Sequence, residues 1–152
     1  MAPAIEFHTG LDDLLVFACR LLRKASRRGS AIAVTADMAT LQQLDRSLWT
    51  FDERDFVPHR HSGSMSAADE ADPYTAIWLM CESELTQATA GGSDLPKVLV
   101  NLGTDIQGRI SGFDRVIELV GADQELADRA RQRWRAYKEQ GLSVKHHSPS
   151  EG

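Results

Sequence analysis

The 152-residue chain lacks several features that would place it in a specialised class of protein. It has only two cysteines, Cys19 and Cys81, which lie far apart in apolar segments, and this placement favours reduced, buried thiols over a disulfide or a CxxC site. No run approaches the roughly 20 apolar residues of a membrane span, and the first residues do not follow the pattern of a signal peptide. These absences lead us to expect a cytoplasmic protein.

A net positive charge is also missing. The chain has 17 Lys and Arg residues against 22 Asp and Glu residues, for a formal net charge of −5. It therefore lacks the broad positive field of a non-specific nucleic-acid binder. The 42% apolar and 26% charged residues are typical of one soluble globular domain of this length. We expect a single domain over residues 1–147, followed by a flexible tail at 148–152.

The signatures of catalysis and cofactor binding are absent as well. The chain contains neither GxGxxG nor GxxxxGK[ST], and no serine lies in a GxSxG context. The histidine pairs His59/His61 and His146/His147 have no cysteine or carboxylate at a familiar metal-ligand spacing. The sequence thus predicts no catalytic residue, no cofactor and no metal.

What the sequence does contain is an alternation of short apolar runs with segments of helical periodicity. The runs predict strands at 4–8, 31–34, 74–80, 97–102 and 115–120, with an edge strand at 142–146 and a polar loop at 61–73. Helices are predicted from a Thr9/Asp12 capping box to Gly29, over 38–51, and from an Asp123 cap to Gly141. This order predicts an α/β fold, a single layered domain with a mostly parallel sheet flanked by helices. Its topology would resemble that of nucleotide-binding proteins without a phosphate loop.

The last predicted helix concentrates positive charge in an otherwise acidic protein. Its cationic residues include Arg129 and Arg133, and a single face carries Arg131, Trp134, Arg135 and Lys138 at the spacing i, i+3, i+4 and i+7. One interpretation is an amphipathic helix with a solvated basic face. The other is a shallow pocket in which arginines bind carboxylates while Trp134 and Val120 receive an apolar side chain.

A second cluster of aromatic residues surrounds a charged turn before the rigid Val57-Pro58 step. Trp49, Phe51 and Phe56 lie close together in the sequence, and aromatic residues near loops are enriched at protein interfaces. They are equally compatible with a role in closing the core beneath the loop.

Taken in order, these motifs resemble the chi subunit family of bacterial DNA polymerase III. The resemblance extends over most of the chain up to Gly141, and the blocks that carry it are Leu44-Asp45, Leu48-Trp49, Phe56-Val57-Pro58-His59, Val98-Leu99-Val100-Asn101-Leu102, Arg115-Val116-Ile117-Glu118, Arg129-Ala130-Arg131 and Arg135-Ala136-Tyr137. The stretch from Arg60 to Tyr74 carries no such signature.

The resemblance implies a non-catalytic adaptor of the clamp loader, part of the DNA replication machinery. Members of the family bind the acidic C-terminal tail of single-stranded DNA-binding protein, which ends in an aromatic residue with a free carboxylate. By position, the residues matching this tail-binding site are Val120, Arg131, Trp134 and Arg135. A second surface, matched by Trp49 and Phe56, would bind the psi subunit of the clamp loader or a helicase-like protein.

Two other functions fit the residues alone. A small nucleotide-binding enzyme is favoured only by the predicted fold, and a direct binder of single-stranded DNA only by the basic, aromatic helix. The net charge of −5 argues against the second.

Overall fold

A computed structural model describes residues 3–28, 31–50, 59–61, 77–81, 85, 96–103, 110 and 113–147. The predicted tail at 148–152 and nearly all of the predicted loop at 61–73 lie outside this part of the chain. In chain order, the elements are β1 (Ala4–Leu11), α1 (Leu14–Arg27), β2 (Ile32–Thr35), α2 (Met38–Thr50), β3 (His59–His61), β4 (Ile77–Met80), β5 (Val98–Asn101), β6 (Arg115–Gly121), α3 (Gln124–Glu139) and β7 (Val144–His147).

The strands form a seven-stranded sheet in the order β3-β4-β2-β5-β6-β1-β7. Every pairing within it is parallel. The predicted α/β fold with helices flanking a parallel sheet is therefore confirmed. Strand β3 was not predicted, because the sequence His59-Arg60-His61 has none of the apolar alternation that marks a strand.

Apolar side chains cover both faces of the sheet, as expected for parallel strands connected by helices. In β2, Ile32 and Val34 join the cluster that contains residues of α1 and α2, whereas Ala33 joins the cluster beneath α3. The strands thus separate two apolar layers, and the residues of β6 that point toward α3 include Val116 and Val120.

The predicted start of the first helix is wrong. Thr9 and Leu11 belong to β1, where Leu11 pairs with Gly121 of β6, and α1 begins only at Leu14. The side chain of Asp13 accepts a hydrogen bond from the backbone N–H of Val16 at 3.1 Å, so Asp13 does the capping that was expected of Thr9. Pairing with β6 extends β1 to Leu11, a residue that the helical periodicity had assigned to the first helix. The predicted stop at Gly29 lies outside the described residues.

Both predicted ends of the last helix are confirmed. Asp123 is the N-cap of α3, and its side chain accepts a hydrogen bond from the N–H of Leu126. At the other end Gly141 has a φ of 78°, and the N–H of Leu142 donates to the carbonyl of Tyr137 at 3.1 Å. This is the hydrogen-bond pattern with which a glycine commonly ends a helix. The chain then returns as β7, the predicted edge strand, beside β1.

Candidate functional site

A cavity of about 430 Å³ lies where α3 passes over the carboxyl ends of β1 and β6. In parallel α/β sheets, ligands usually bind at the carboxyl ends of the strands, because loops and helix ends converge there. The lining comes from three strands or their ends and from one helix, and it consists of Phe7, Thr9, Gly10, Val120, Gly121, Ala122, Ala127, Ala130, Arg131, Trp134 and His146.

The cavity is lined mainly by apolar residues, and the cationic residue Arg131 also lines it. Val120 is buried, whereas the Trp134 side chain is 40% exposed and is one of the two large hydrophobic residues exposed in the described part of the chain. Lys138 Nζ lies 5.5 Å from the centre of the Trp134 ring, within the range of a cation–π contact. The Trp134 indole is therefore accessible beside an apolar hollow, which makes this cavity a candidate binding site.

Three of the four residues matched to a peptide-binding site meet at this cavity, namely Val120, Arg131 and Trp134. Arg135 is exposed on the same helix but does not line the cavity. Helix α3 brings Arg131 and Trp134 together because they are three residues apart, and the neighbouring strand β6 supplies Val120.

The exposed arginines of α3 are partly neutralised by acidic residues of the same helix. Arg131 pairs with Asp128 at 3.1 Å, and Arg129 pairs with Glu125 at 2.8 Å. Such exposed pairs contribute little free energy, about 0 to 1 kcal/mol, so an incoming carboxylate can replace Asp128 at modest cost. The net positive charge of this helix surface is therefore smaller than the number of its arginines suggests.

Arg133 does not belong to that basic face. Its side chain is buried and its Nε donates to Glu118 Oε2 of β6 at 3.0 Å. The same carboxylate accepts hydrogen bonds from Tyr137 Oη at 2.8 Å and from Asn101 Nδ2 at 2.7 Å. Burial raises the pKa of Glu118, while the charge of Arg133 and these donors act in the opposite direction. The cluster joins α3 to the sheet beneath it.

Sequence reasoning missed the contribution of β1 and of the edge strand β7 to the cavity. His146 of β7 and Thr9 of β1 both line it, and Thr9 Oγ1 lies 2.6 Å from His146 Nε2, within hydrogen-bonding distance. The predicted edge strand at 142–146 includes His146, but the sequence did not indicate that this strand would pair with β1 and so bring His146 to the cavity.

The second predicted surface falls largely outside the described residues. Trp49 belongs to α2, but its side chain is outside the described part, and so is all of Phe56. The buried face of α2 is formed by Leu41, Leu44 and Leu48. The assignment of Trp49 and Phe56 to a partner-binding surface therefore stays a prediction.

Neither Cys19 nor the half-buried Cys81 forms a disulfide, and neither lines the cavity. Cys19 is buried in α1, and this burial raises its pKa to about 11, with Asp13 acting in the same direction. A thiol of that kind is a packing residue, because only the thiolate is a nucleophile. In the described part of the chain, no helix is both long and apolar enough to cross a membrane.

Comparison with known families identifies the group to which this molecule is related. The family model described as DNA polymerase III chi subunit, HolC, matches residues 2–145, which is nearly the whole chain. The chain belongs to the chi subunit family of DNA polymerase III. The resemblance drawn from its motifs is thereby confirmed.

Individual relatives agree with this assignment. The chain is 33% identical to DNA polymerase III subunit chi of Pseudomonas aeruginosa over 134 residues, covering 88% of this chain and 84% of that protein. It is 28% identical to the Haemophilus influenzae subunit chi, covering 95% and 96% of the two chains. It is 24% identical to the Escherichia coli subunit chi, covering 89% and 85%. The molecule is therefore an accessory subunit of a replicative polymerase.

Proposed function

We propose that this chi-family chain is a non-catalytic adaptor whose cavity beneath α3 binds the acidic C-terminal tail of single-stranded DNA-binding protein. The observation that carries the proposal is the meeting of Val120, Arg131 and Trp134 at one apolar hollow. These residues lie at the positions that the family resemblance matched to the tail-binding site. The cavity also has the size range of small-ligand pockets, which are usually about 300 to 1,000 Å³.

The chemistry of the cavity suits a chain terminus that carries an aromatic side chain. An aromatic ring can enter between Val120, Ala130 and the exposed Trp134, where it removes apolar surface from water. Arg131 at the edge can then bind the free carboxylate with two parallel hydrogen bonds, a geometry that an arginine provides and a lysine does not. The two interactions together select a terminal residue over an internal one.

Acidic residues farther along the tail would lie beside the remaining exposed cations of α3. Arg135 and Lys138 continue the helix face beyond Arg131, and both are exposed. Salt screens the attraction between these exposed cations and the acidic residues of the tail, since the Debye length is about 8 Å at physiological ionic strength. We expect them to accelerate association and to contribute less to the affinity than the buried ring and the bound carboxylate.

A peptide series tests this function. A labelled acidic peptide ending in phenylalanine with a free carboxylate is titrated with the protein and followed by fluorescence anisotropy. The same peptide with an amidated end, and one ending in alanine, are the matched controls. We expect both controls to bind at least about tenfold more weakly, since a lost charged hydrogen bond or a lost buried ring each costs about 1.5 to 3 kcal/mol. Equal affinity of all three peptides would contradict the proposed site.

The same assay separates the adaptor from a direct binder of single-stranded DNA. An unlabelled oligonucleotide is added as a competitor, in the absence of any other protein. We expect no displacement of the peptide and no binding of a labelled oligonucleotide at physiological salt, given the net charge of −5. Tight oligonucleotide binding would favour the alternative function.

We also propose that a second surface containing Trp49 and Phe56 binds the psi subunit of the clamp loader or a helicase-like protein. This part of the proposal rests on the family resemblance and on the enrichment of aromatic residues at interfaces. Its test is co-purification of the partner from lysate with the wild-type chain and with Trp49→Ala. Loss of the partner with retention of peptide binding would support it, whereas unfolding of the variant would show that Trp49 is a core residue.

A further inference from the structure

Three side chains of the types that can bind metal ions, Glu6, His8 and His147, meet on the face of the sheet opposite to the cavity. Glu6 and His8 are two residues apart in β1, so they point to the same side. His147 of β7 lies beside His8 in the parallel register of these two strands. One potential ligand atom from each of the three side chains lies within 4.8 Å of the other two. The nearby His146 points to the other side and lines the cavity.

The three side chains are held by well-defined contacts. The rings of His8 and His147 are stacked, with their centres 4.8 Å apart and an angle of 19° between their planes. The ring of His8 also lies beside the ring of Phe17 in α1, with their centres 5.4 Å apart. His8 Nε2 lies 3.8 Å from Glu6 Oε2. Two paired strands and one helix thus position the group, which limits the reorganisation that metal binding would require.

We propose that Glu6, His8 and His147 form a binding site for a divalent transition-metal ion of the zinc class. Two imidazoles and one carboxylate are a ligand set that zinc, nickel and copper accept, whereas magnesium and calcium prefer oxygen ligands alone. Three protein ligands leave a fourth tetrahedral position for water. The ligand atoms must approach one another slightly, because metal–ligand bonds of about 2.0 to 2.2 Å bring ligands closer than 4.8 Å.

Arg115 influences this site from the neighbouring strand β6. Its guanidinium donates two hydrogen bonds to the Glu6 carboxylate, at 3.0 and 2.9 Å, and fixes the orientation of that group. Partners of this kind commonly orient metal ligands. The positive charge of Arg115 also repels a cation, so we expect a weaker site than one with an unpaired carboxylate.

The experiment uses the full chain, free of any affinity tag and treated with chelator. Binding of Zn²⁺ is measured by calorimetry, and binding of Co²⁺ by its visible absorption, which reports the coordination geometry. We expect one ion per chain and a loss of affinity of at least about tenfold in His147→Ala and in Glu6→Gln. His147 is exposed, so its replacement leaves the fold intact.

Two control variants distinguish this site from other histidines. His146→Ala removes the neighbour on the opposite face, and His59→Ala with His61→Ala removes the pair in β3; we expect both proteins to retain wild-type affinity. The proposal is overturned if the wild-type chain binds no Zn²⁺, if His147→Ala binds as tightly as wild type, or if either control loses as much affinity as His147→Ala.

Discussion

Replacing the buried Arg133 by alanine tests how α3 is attached to the sheet. Arg133 and Glu118 form an ion pair in which the side chains are only 6% and 0% exposed. Removing the arginine leaves the Glu118 carboxylate in the interior with Tyr137 and Asn101 as its remaining hydrogen-bond donors. Breaking a buried pair in this way typically costs about 3 to 5 kcal/mol, because an uncompensated charge stays buried.

That cost is a large part of the free energy of unfolding, which is about 5 to 15 kcal/mol for domains of this kind. Urea denaturation of the Arg133→Ala variant measures it directly. The matched control is Arg135→Ala, two residues farther along the same helix, where the side chain is exposed. We expect the control to change the free energy by no more than about 0.5 kcal/mol. A loss below about 1 kcal/mol in Arg133→Ala would refute the conclusion that this arginine is structural.

Three further predictions address the helix cap, a buried thiol and the second surface. Asp123→Ala removes the side chain that caps α3 and should lower the free energy of unfolding by about 1 kcal/mol, seen as a lower midpoint in urea; an unchanged midpoint would contradict the cap. Because burial raises the pKa of Cys19 to about 11, its thiol should resist iodoacetamide at pH 8 in the native chain and react after unfolding, as located by mass spectrometry; rapid native labelling would contradict its burial. Trp49→Ala should lose the psi or helicase-like partner in the co-purification described above while peptide binding persists.

Local signals in the sequence predicted much of the fold. The N-cap at Asp123 and the stop at Gly141 depend on a few neighbouring residues, and both ends of α3 are where those signals placed them. The start of α1 was misplaced because Leu11 also fits the helical spacing, and pairing with the distant Gly121 decided the outcome. Periodicity contains no information on such pairing.

The site was predicted in part, and mainly through the family resemblance. Arg131 and Trp134 share a helix face that spacing reveals, but spacing did not separate Arg133 from the exposed arginines. Arg133 is buried beside Glu118, its ion-pair partner on β6. In the sequence Glu118 is only one charged residue within an apolar segment, and nothing there indicates that it pairs with Arg133. The proximity of His147 to Glu6 was likewise hidden, because the sheet joins segments from opposite ends of the chain.

The most direct test of the proposed function is a calorimetric titration of the acidic, phenylalanine-ended peptide into the wild-type chain, Arg131→Ala and Arg129→Ala. Both arginines are exposed and pair with an acidic residue of α3, but only Arg131 lines the cavity. We predict that Arg131→Ala weakens binding by about 1 to 3 kcal/mol, a loss that shrinks as salt rises, while Arg129→Ala binds nearly as wild type. Unchanged affinity in Arg131→Ala, or equal losses in both variants, would contradict the assignment of the cavity as the peptide site.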